Sequence, residues 1–343
     1  METAAPSSDV WEVYPQLTTE QFSQCLQAGI EPLQAQLLYN RGLTTPRAMR
    51  AFLDARYDQT PDPRLLIAMD RALERIQRAL AEREHITVYG DYDADGVTSA
   101  ALLTRALRAL AHPDAVLDFY IPHRLREGVG LNLAAIDALH ARGTKLIITT
   151  DCASSDVAQV AHAHSLGIDV IITDHHHPPE QLPPAYAVIN PWRADCAYPE
   201  RYLCGAGIAF KLAQALYRAY GRTIEEEQDL LDLVAIGTIA DLAPLLGENH
   251  TLVRLGLEKM SQTRKPGLRA LMQRANVPTG HIRERDIAYA LAPRINAAGR
   301  MQDADVAFEL LTTDDPATAA RCVEELESLN LSRQRQTEEL MNA

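Results

Sequence analysis

ITVYGDYDADGVTSAALL, residues 86–103, runs from a β-rich apolar segment through three aspartates into a stretch of alanine and leucine. ITVYG (86–90) reads as a strand, and a helix is expected near 97–111. Further short β-rich runs follow at VLDFYI (116–121), KLIITT (145–150), IDVIIT (168–173) and AYAVI (185–189), with helical segments near 131–142 and 156–166. Such alternation predicts a parallel sheet with crossover helices. LIITT and VIIT are apolar nearly throughout, as strands buried on both faces are. The expected fold class is therefore α/β, a parallel sheet of about five strands flanked by helices. A helical N-terminal lead-in and a helical C-terminal tail complete it.

Outward from this core, residues 1–64 read as a helical N-terminal region. TTEQFSQCLQAGIEPLQAQLLYNRG (18–42) has apolar residues near helical spacing and ends at Gly42, a C-cap candidate. Thr60-Pro61-Asp62-Pro63 marks a break. A helix from Leu65 to Glu84 then opens a catalytic α/β domain over 65–245. Residues 246–343 read as a helical connecting region, with helices expected at 205–220, 225–240 and 250–260 spanning the junction. The last helix starts at Asp314-Asp315-Pro316, acidic cap residues followed by proline in the first turn. Its apolar positions, Val323, Leu326, Leu329 and Leu340, run on with no stop signal. It reads as a linker helix cut off in mid-course, leaving Leu326, Leu329 and Leu340 exposed.

The 343 residues suggest about two domains. With 47% hydrophobic and 23% charged residues the composition is that of a globular protein, which excludes disorder for most of the chain. No apolar run approaches the ~18 residues of a membrane helix, and no membrane association is expected. METAAPSSDV (1–10) lacks the basic start and apolar stretch of a secretory signal, so a cytoplasmic location is expected. The five cysteines (25, 152, 196, 204, 322) form no CxxC pair and read as reduced thiols. The net charge is −13, all of it within residues 1–250. Residues 261–300 form a basic island, with eight Lys and Arg against two acids. Such an island is either a solvated helical surface or a local seat for a polyanion.

Three places carry chemistry. In GDYDADG (90–96), Asp91, Asp93 and Asp95 alternate directly after a strand. An extended chain would set them on one face, where they repel unless a cation sits among them. D-x-D-x-D-G also begins like a calcium loop, but position twelve from Asp91 is Leu102 where glutamate is needed, and the preceding element is a strand. Asp151 follows KLIITT. Asp174-His175-His176 follows IDVIIT, and neutral imidazole is the common nitrogen ligand of transition metals. In open parallel sheets ligands bind beyond the carboxyl ends of the strands, so these clusters are expected to converge. His177 reads as an exposed neighbour. Asp241, in IGTIADLAPL, is either a cap or is paired with a positive centre. There is no GxGxxG, GxxxxGK[ST] or GxSxG, and Gly205-Ala206-Gly207 reads as close packing.

These residues together resemble the DHH phosphoesterase family, named for its Asp-His-His motif. VYGDYDADGVTSAALL, IPHRLREGVGLN, IITDHHHPPEQLPPAYAVINP, CGAGIAFKLAQAL, IGTIADLAPLLGENHTLVRLGL and APRINAAGRM occur in the family's order. The lead-in and APRINAAGR are similar to its bacterial branch specific for single-stranded DNA. By this resemblance Asp93, Asp95, Asp151, His175 and Asp241 are ligands for two Mn²⁺ or Mg²⁺ ions, with Asp151 bridging. Asp91 is the first acid of the motif, and His176 contacts the scissile phosphate. Arg294, Asn296, Arg300 and Arg124 are candidate contacts to DNA phosphates. Two positions depart from the pattern: Ala153 stands where glycine is usual, and Val129 where tyrosine is. Relatives are also expected to continue beyond this point, with a domain carrying a GGGH motif and an OB-like domain.

The resemblance implies a metal-dependent 5′→3′ exonuclease acting on single-stranded DNA in repair and recombination. A single-strand-binding protein or a helicase would be a further partner. Two rivals remain. One is a DHH phosphoesterase for short oligonucleotides or dinucleotides. The other is a non-catalytic replication scaffold, against which the intact set of acids and histidines argues.

Overall fold

A computed structural model describes residues 12–342, so the reading of METAAPSSDV lies outside the described residues. The chain divides into two compact units at Arg56/Tyr57. The first contains α1 (Thr19–Gln27), α2 (Pro32–Tyr39) and α3 (Pro46–Asp54) around a small core of Leu17, Cys25, Ile30, Ala35, Leu38 and Met49. Gly42 does take the left-handed conformation of a helix stop, φ +85°. The expected boundary at 64/65 falls later than the one observed. Residues 57–64 pack with the second unit: the Tyr57 hydroxyl donates to Glu227 at 2.6 Å, and Lys211 Nζ donates to the Pro61 carbonyl at 2.7 Å.

The second unit opens with α4 (Met69–Glu82). It starts four residues later than expected because Pro63–Leu65 forms a 3₁₀ turn and Ala68 adopts φ +63°. Then come β1 (Ile86–Gly90), α5 (Ala94–Leu110), β2 (Leu117–Tyr120), α6 (Arg124–Glu127), α7 (Leu133–Ala141), β3 (Leu146–Thr150), α8 (Val157–Ser165), β4 (Asp169–Thr173) and β5 (Ala187–Ile189). The strands form one parallel sheet in the order β2-β1-β3-β4-β5. Side chains alternate cleanly. Ile86, Val88, Leu146, Ile148 and Ile171 join the core shared with α4, α5 and later helices, whereas Tyr89, Ile147, Val170 and Ile172 join α7 and α8 on the other face. Each fully buried Ile or Val stabilises by roughly 1.5–3 kcal/mol, which is why β3 and β4 carry Ile, Leu and Val on both faces, with buried threonines at their carboxyl ends.

The rest is helical: α9 (Gly205–Ala219), α10 (Ile224–Gln228), α11 (Leu231–Ala240), α12 (Gly247–Ser261), α13 (Pro266–Arg274) and α14 (Glu284–Asp286). A π-helical turn over Ile287–Leu291 leads to α15 (Ala292–Met301), α16 (Asp305–Thr312) and α17 (Pro316–Asn342). The single helix expected over 225–240 is two. The buried Lys265 ammonium binds the Asp229 carbonyl and the Asp232 carboxylate at the break.

No separate unit begins at 246. A Cβ on Gly256 of α12 would lie 2.3 Å from the Leu231 carbonyl of α11, so these helices touch backbone to backbone across the expected boundary. Helix α17 also differs from expectation. Leu326 and Leu329 are buried, because the helix lies along α13, α15 and α16, and of the three leucines only Leu340 is exposed. No described helix is long and apolar enough to cross a membrane.

Candidate metal centre

Strand order reverses direction at β1 and β3, and there the sheet's carboxyl edge opens a crevice. Gly90 pairs with Thr150, and Thr150 with Thr173. The next residues, Asp91, Asp151 and Asp174, therefore stand side by side. Their backbone N–H groups donate to the carbonyls of Thr150, Thr173 and Ile189 at 3.3, 2.9 and 3.1 Å.

GDYDADG is not extended throughout. The chain turns into α5 at Ala94, and the Asp93 Oδ1 caps that helix, accepting from the N–H groups of Asp95 and Gly96 at 2.9 and 3.0 Å. Asp95 projects from the first helical turn. The three acids converge because a strand meets a helix start, not by alternation along a strand. Gly96 is obligatory, since a Cβ there would sit 2.5–2.7 Å from Asp91.

His175 stands in the middle. Its Nε2 is 2.9 Å from Asp151 Oδ1 and 3.9 Å from Asp95 Oδ2, and its Nδ1 is 3.9 Å from Asp241 Oδ2. Three sets of candidate ligating atoms result among the described residues, namely Asp91, Asp93 and Asp151, then Asp95, His175 and Asp241, and then Asp151, His175 and His176. All atoms of a set lie within 4.8 Å of each other, and Asp151 and His175 each belong to two of the sets. Asp241 ends α11, where the helix dipole disfavours an anion, so it is not a stabilising cap.

The electrostatics are those of a site built around positive charge. Burial and then Asp93 push the Asp91 carboxyl up to about 7. Burial and Asp93 likewise raise Asp241 to about 6. Asp95 and Asp151, both buried, are raised by burial first and by neighbouring acids next. Asp91 Oδ1 and Asp151 Oδ1 are buried without a well-aligned hydrogen bond, the latter with only His175 Nε2 beside it at 2.9 Å. Buried oxygens are seldom left so, and two among five carboxylates fit a pair of divalent cations. Burial lowers His175 to about 4, which keeps its imidazole neutral and able to ligate.

Asp174 is no ligand. It is buried, accepts from the N–H groups of Ser154, His175 and His176, and holds His176 Nδ1 at 2.7 Å. That bond, chiefly, raises His176 to about 9, so a protonated, exposed imidazolium faces the crevice. His177 is exposed, as expected.

Gly205 and Ala206 do more than pack. Their N–H groups, at the start of α9, donate to Asp95 Oδ2 and Oδ1 at 2.7 and 2.9 Å. A Cβ on Gly205 would lie 2.5 Å from the Asp151 side chain. Asn296 Oδ1 accepts from Ala94 N–H at 2.8 Å, bracing the aspartate loop. Arg294 is not free for a phosphate: its guanidinium binds Glu327 at 2.6 Å and the Ala290 carbonyl at 2.7 Å. Arg300 and Arg124 are exposed, with Arg124 5.0 Å above the Tyr92 ring. Asp151 and Ala153 both have left-handed backbones, φ +64° and +82°, so the alanine does stand where glycine would be unstrained. Val129 is exposed.

The family model "DHH family, N-terminal domain" matches residues 85–238. The single-stranded-DNA-specific exonuclease RecJ of Bacillus subtilis (strain 168) is 41% identical over 325 residues, covering 95% of this chain and 40% of the relative. A crystal structure of an exonuclease RecJ bound to manganese superposes with a TM-score of 0.74 at 38% identity, covering 81% of this chain and 69% of the other. RecJ of Thermus thermophilus in complex with Mn²⁺ gives 0.83 at 33% identity, covering 97% and 47%. The chain spans about half the length of the curated relatives it matches. At these identities and coverages the chain belongs to the RecJ branch of the DHH family.

Proposed function

We propose that this chain hydrolyses phosphodiester bonds of single-stranded DNA from the 5′ end, using two divalent cations. The observation that carries this is the convergence of five acids and His175, with Asp91 Oδ1 buried and unbonded and Asp151 Oδ1 buried against the His175 imidazole alone, at 2.9 Å. Asp93, Asp95, Asp151, His175 and Asp241 would hold Mn²⁺ or Mg²⁺, with Asp151 belonging to two of the converging sets and Asp91 completing the ring. Carboxylates suit both ions, and the imidazole favours Mn²⁺. When bound, such a pair supplies an activated water and stabilises charge on the leaving oxygen.

The chain's own groups do the rest. His176, protonated and fixed by Asp174, donates to a non-bridging phosphate oxygen where charge grows. The N–H groups of Gly205 and Ala206 keep Asp95 oriented. Arg124 and Arg300, on the exposed rim, position DNA phosphates without reading sequence. Asn296 acts through the aspartate loop, and Arg294 holds α15 to α17. Residues 65–245 carry the chemistry, and 246–343 brace it. DNA repair and recombination in the cytoplasm, with a single-strand-binding protein or a helicase as partner, belong to the same reading.

The test is hydrolysis of a 5′-phosphorylated single-stranded oligonucleotide in Mn²⁺, beside its duplex and a dinucleotide. Preference for the single strand is expected. Preference for the dinucleotide would transfer the site to the short-substrate phosphoesterases, and no hydrolysis with both ions bound would favour a scaffold. His176→Ala should lower turnover about 10²–10³-fold with metal content unchanged. A parallel loss of metal would make His176 a ligand instead.

A further inference from the structure

Beside the centre lies a set of aromatic rings that hold no cation. His177 packs against Trp192 with ring centroids 4.4 Å apart and planes tilted by 44°, and Trp192 meets Tyr202 edge-on at 5.3 Å. The set is not core: Tyr202 is 59% exposed, His177 is exposed and Trp192 only partly buried. Contiguous exposed rings of this size mark contact surfaces.

Two buried asparagines fix this ledge to the ligand-bearing loops. Asn190 donates to the His176 carbonyl at 2.8 Å and to Ser154 Oγ at 3.0 Å, and accepts from the Trp192 N–H at 2.8 Å. Asn249 donates to the carbonyls of Tyr202 at 2.6 Å and Pro244 at 3.2 Å, the latter in the loop that begins at Asp241. Both side chains are at least 95% buried. Breaking buried amide bonds is costly, so the backbone that carries Trp192 and Tyr202 is held to the loops of His176 and Asp241. The ledge follows β5, one edge of the sheet. The exposed cations Arg124 and Arg300 flank the other side, near β1 and β2.

We infer that Trp192, with Tyr202 and His177, stacks a nucleobase of the strand whose phosphate lies at His176. This rests on the phosphodiesterase reading and adds how the single strand is selected. An unpaired base offers a free π-face, whereas a base in a duplex is already stacked within its helix. Stacking on an aromatic side chain contributes about 1–3 kcal/mol per base and tolerates every sequence.

The test uses the full chain with Trp11→Phe, which leaves Trp192 the sole tryptophan of the two in the sequence. A 3′-labelled, 5′-phosphorylated thymidine octamer is titrated in Ca²⁺, reading label anisotropy and tryptophan emission together. Emission should fall as the octamer binds. An octamer with abasic residues in its first three positions should bind more weakly and leave emission unchanged. Trp192→Ala should weaken the intact octamer about 5- to 150-fold, leave the abasic one unaffected, and be largely rescued by Trp192→Phe. Binding without quenching, or equal affinity of Trp192→Ala and its parent for the intact octamer, would overturn the ledge alone. The abasic comparison decides the matter even if Trp192→Ala fails to fold. Neither binding nor hydrolysis of any oligonucleotide would overturn both this inference and the phosphodiesterase reading.

Discussion

Two regions of the second unit bury acids, and they treat them in opposite ways. Under α9, Glu248 and Lys211 are both fully buried, 2.8 Å apart, and the Tyr198 hydroxyl gives Glu248 a further donor. At the sheet's carboxyl edge, Asp91, Asp95 and Asp151 are buried among other acids, and the one imidazole between them is held neutral. The first region is electrically closed by its own side chains. The second is open, because its acids outnumber the one imidazolium near them, His176, which is itself paired with Asp174. Desolvating an anion costs several kcal/mol even after relaxation. A fold keeps the second arrangement only where something positive is meant to enter.

Asp151→Asn should break the open region most visibly. Loss of a shared ligand is expected to cut hydrolysis roughly 10³-fold or more. Turnover within tenfold of the parent in saturating Mn²⁺ would defeat the two-ion assignment. The same acid-to-amide change in the closed region, Glu248→Gln, should leave catalytic groups untouched yet destabilise by about 3–5 kcal/mol, since Lys211 stays buried without its partner. Denaturant unfolding checks this. A loss under 1 kcal/mol would show that the pair is not needed. In the metal-free protein Asp151→Asn should instead leave stability unchanged or raise it by about 1 kcal/mol, as one buried anion is removed. A loss above 2 kcal/mol would mean that the open region is closed by a partner after all.

A pH series sharpens the contrast further. Asp91 and Asp241 titrate near 7 and 6 when folded, above the ordinary carboxylate value. Raised carboxyl values stabilise fully below about pH 4, and that stability drains away as pH climbs through 6 and 7. Metal-free protein should thus melt at lower temperature at pH 7.5 than at 5.5, and added Mn²⁺ should raise Tm more at pH 7.5. Equal Mn²⁺ effects at both values would argue that protons and cations do not compete for these acids.

The strands could be read from sequence because their signal is local. Five apolar runs bounded by turns needed no tertiary information, and β1 matches ITVYG residue for residue. The acids and histidines at three strand ends were likewise visible, since a charge straight after a buried strand has few places to go. What stayed hidden is non-local. The N–H groups that orient Asp95 come from Gly205 and Ala206, far along the chain, and look like ordinary packing glycine and alanine. Arg294 read as a free cation because its partner, Glu327, lies on another helix. Leu326 and Leu329 read as exposed because the helices they pack against leave no mark in the local sequence.

The ring of ligands also has a consequence for the order of folding. Its members come from Asp91 to Asp241, so the ring closes only when β1, β3 and β4 are aligned and α11 has docked. Contacts between such distant stretches form slowly, because long loops must close before they are rewarded. A partly folded chain would hold at most fragments of the ring and would bind an ion weakly. Capture of Mn²⁺ would then be a late event, and the ion would act as a latch on the finished sheet and not as a seed for its assembly.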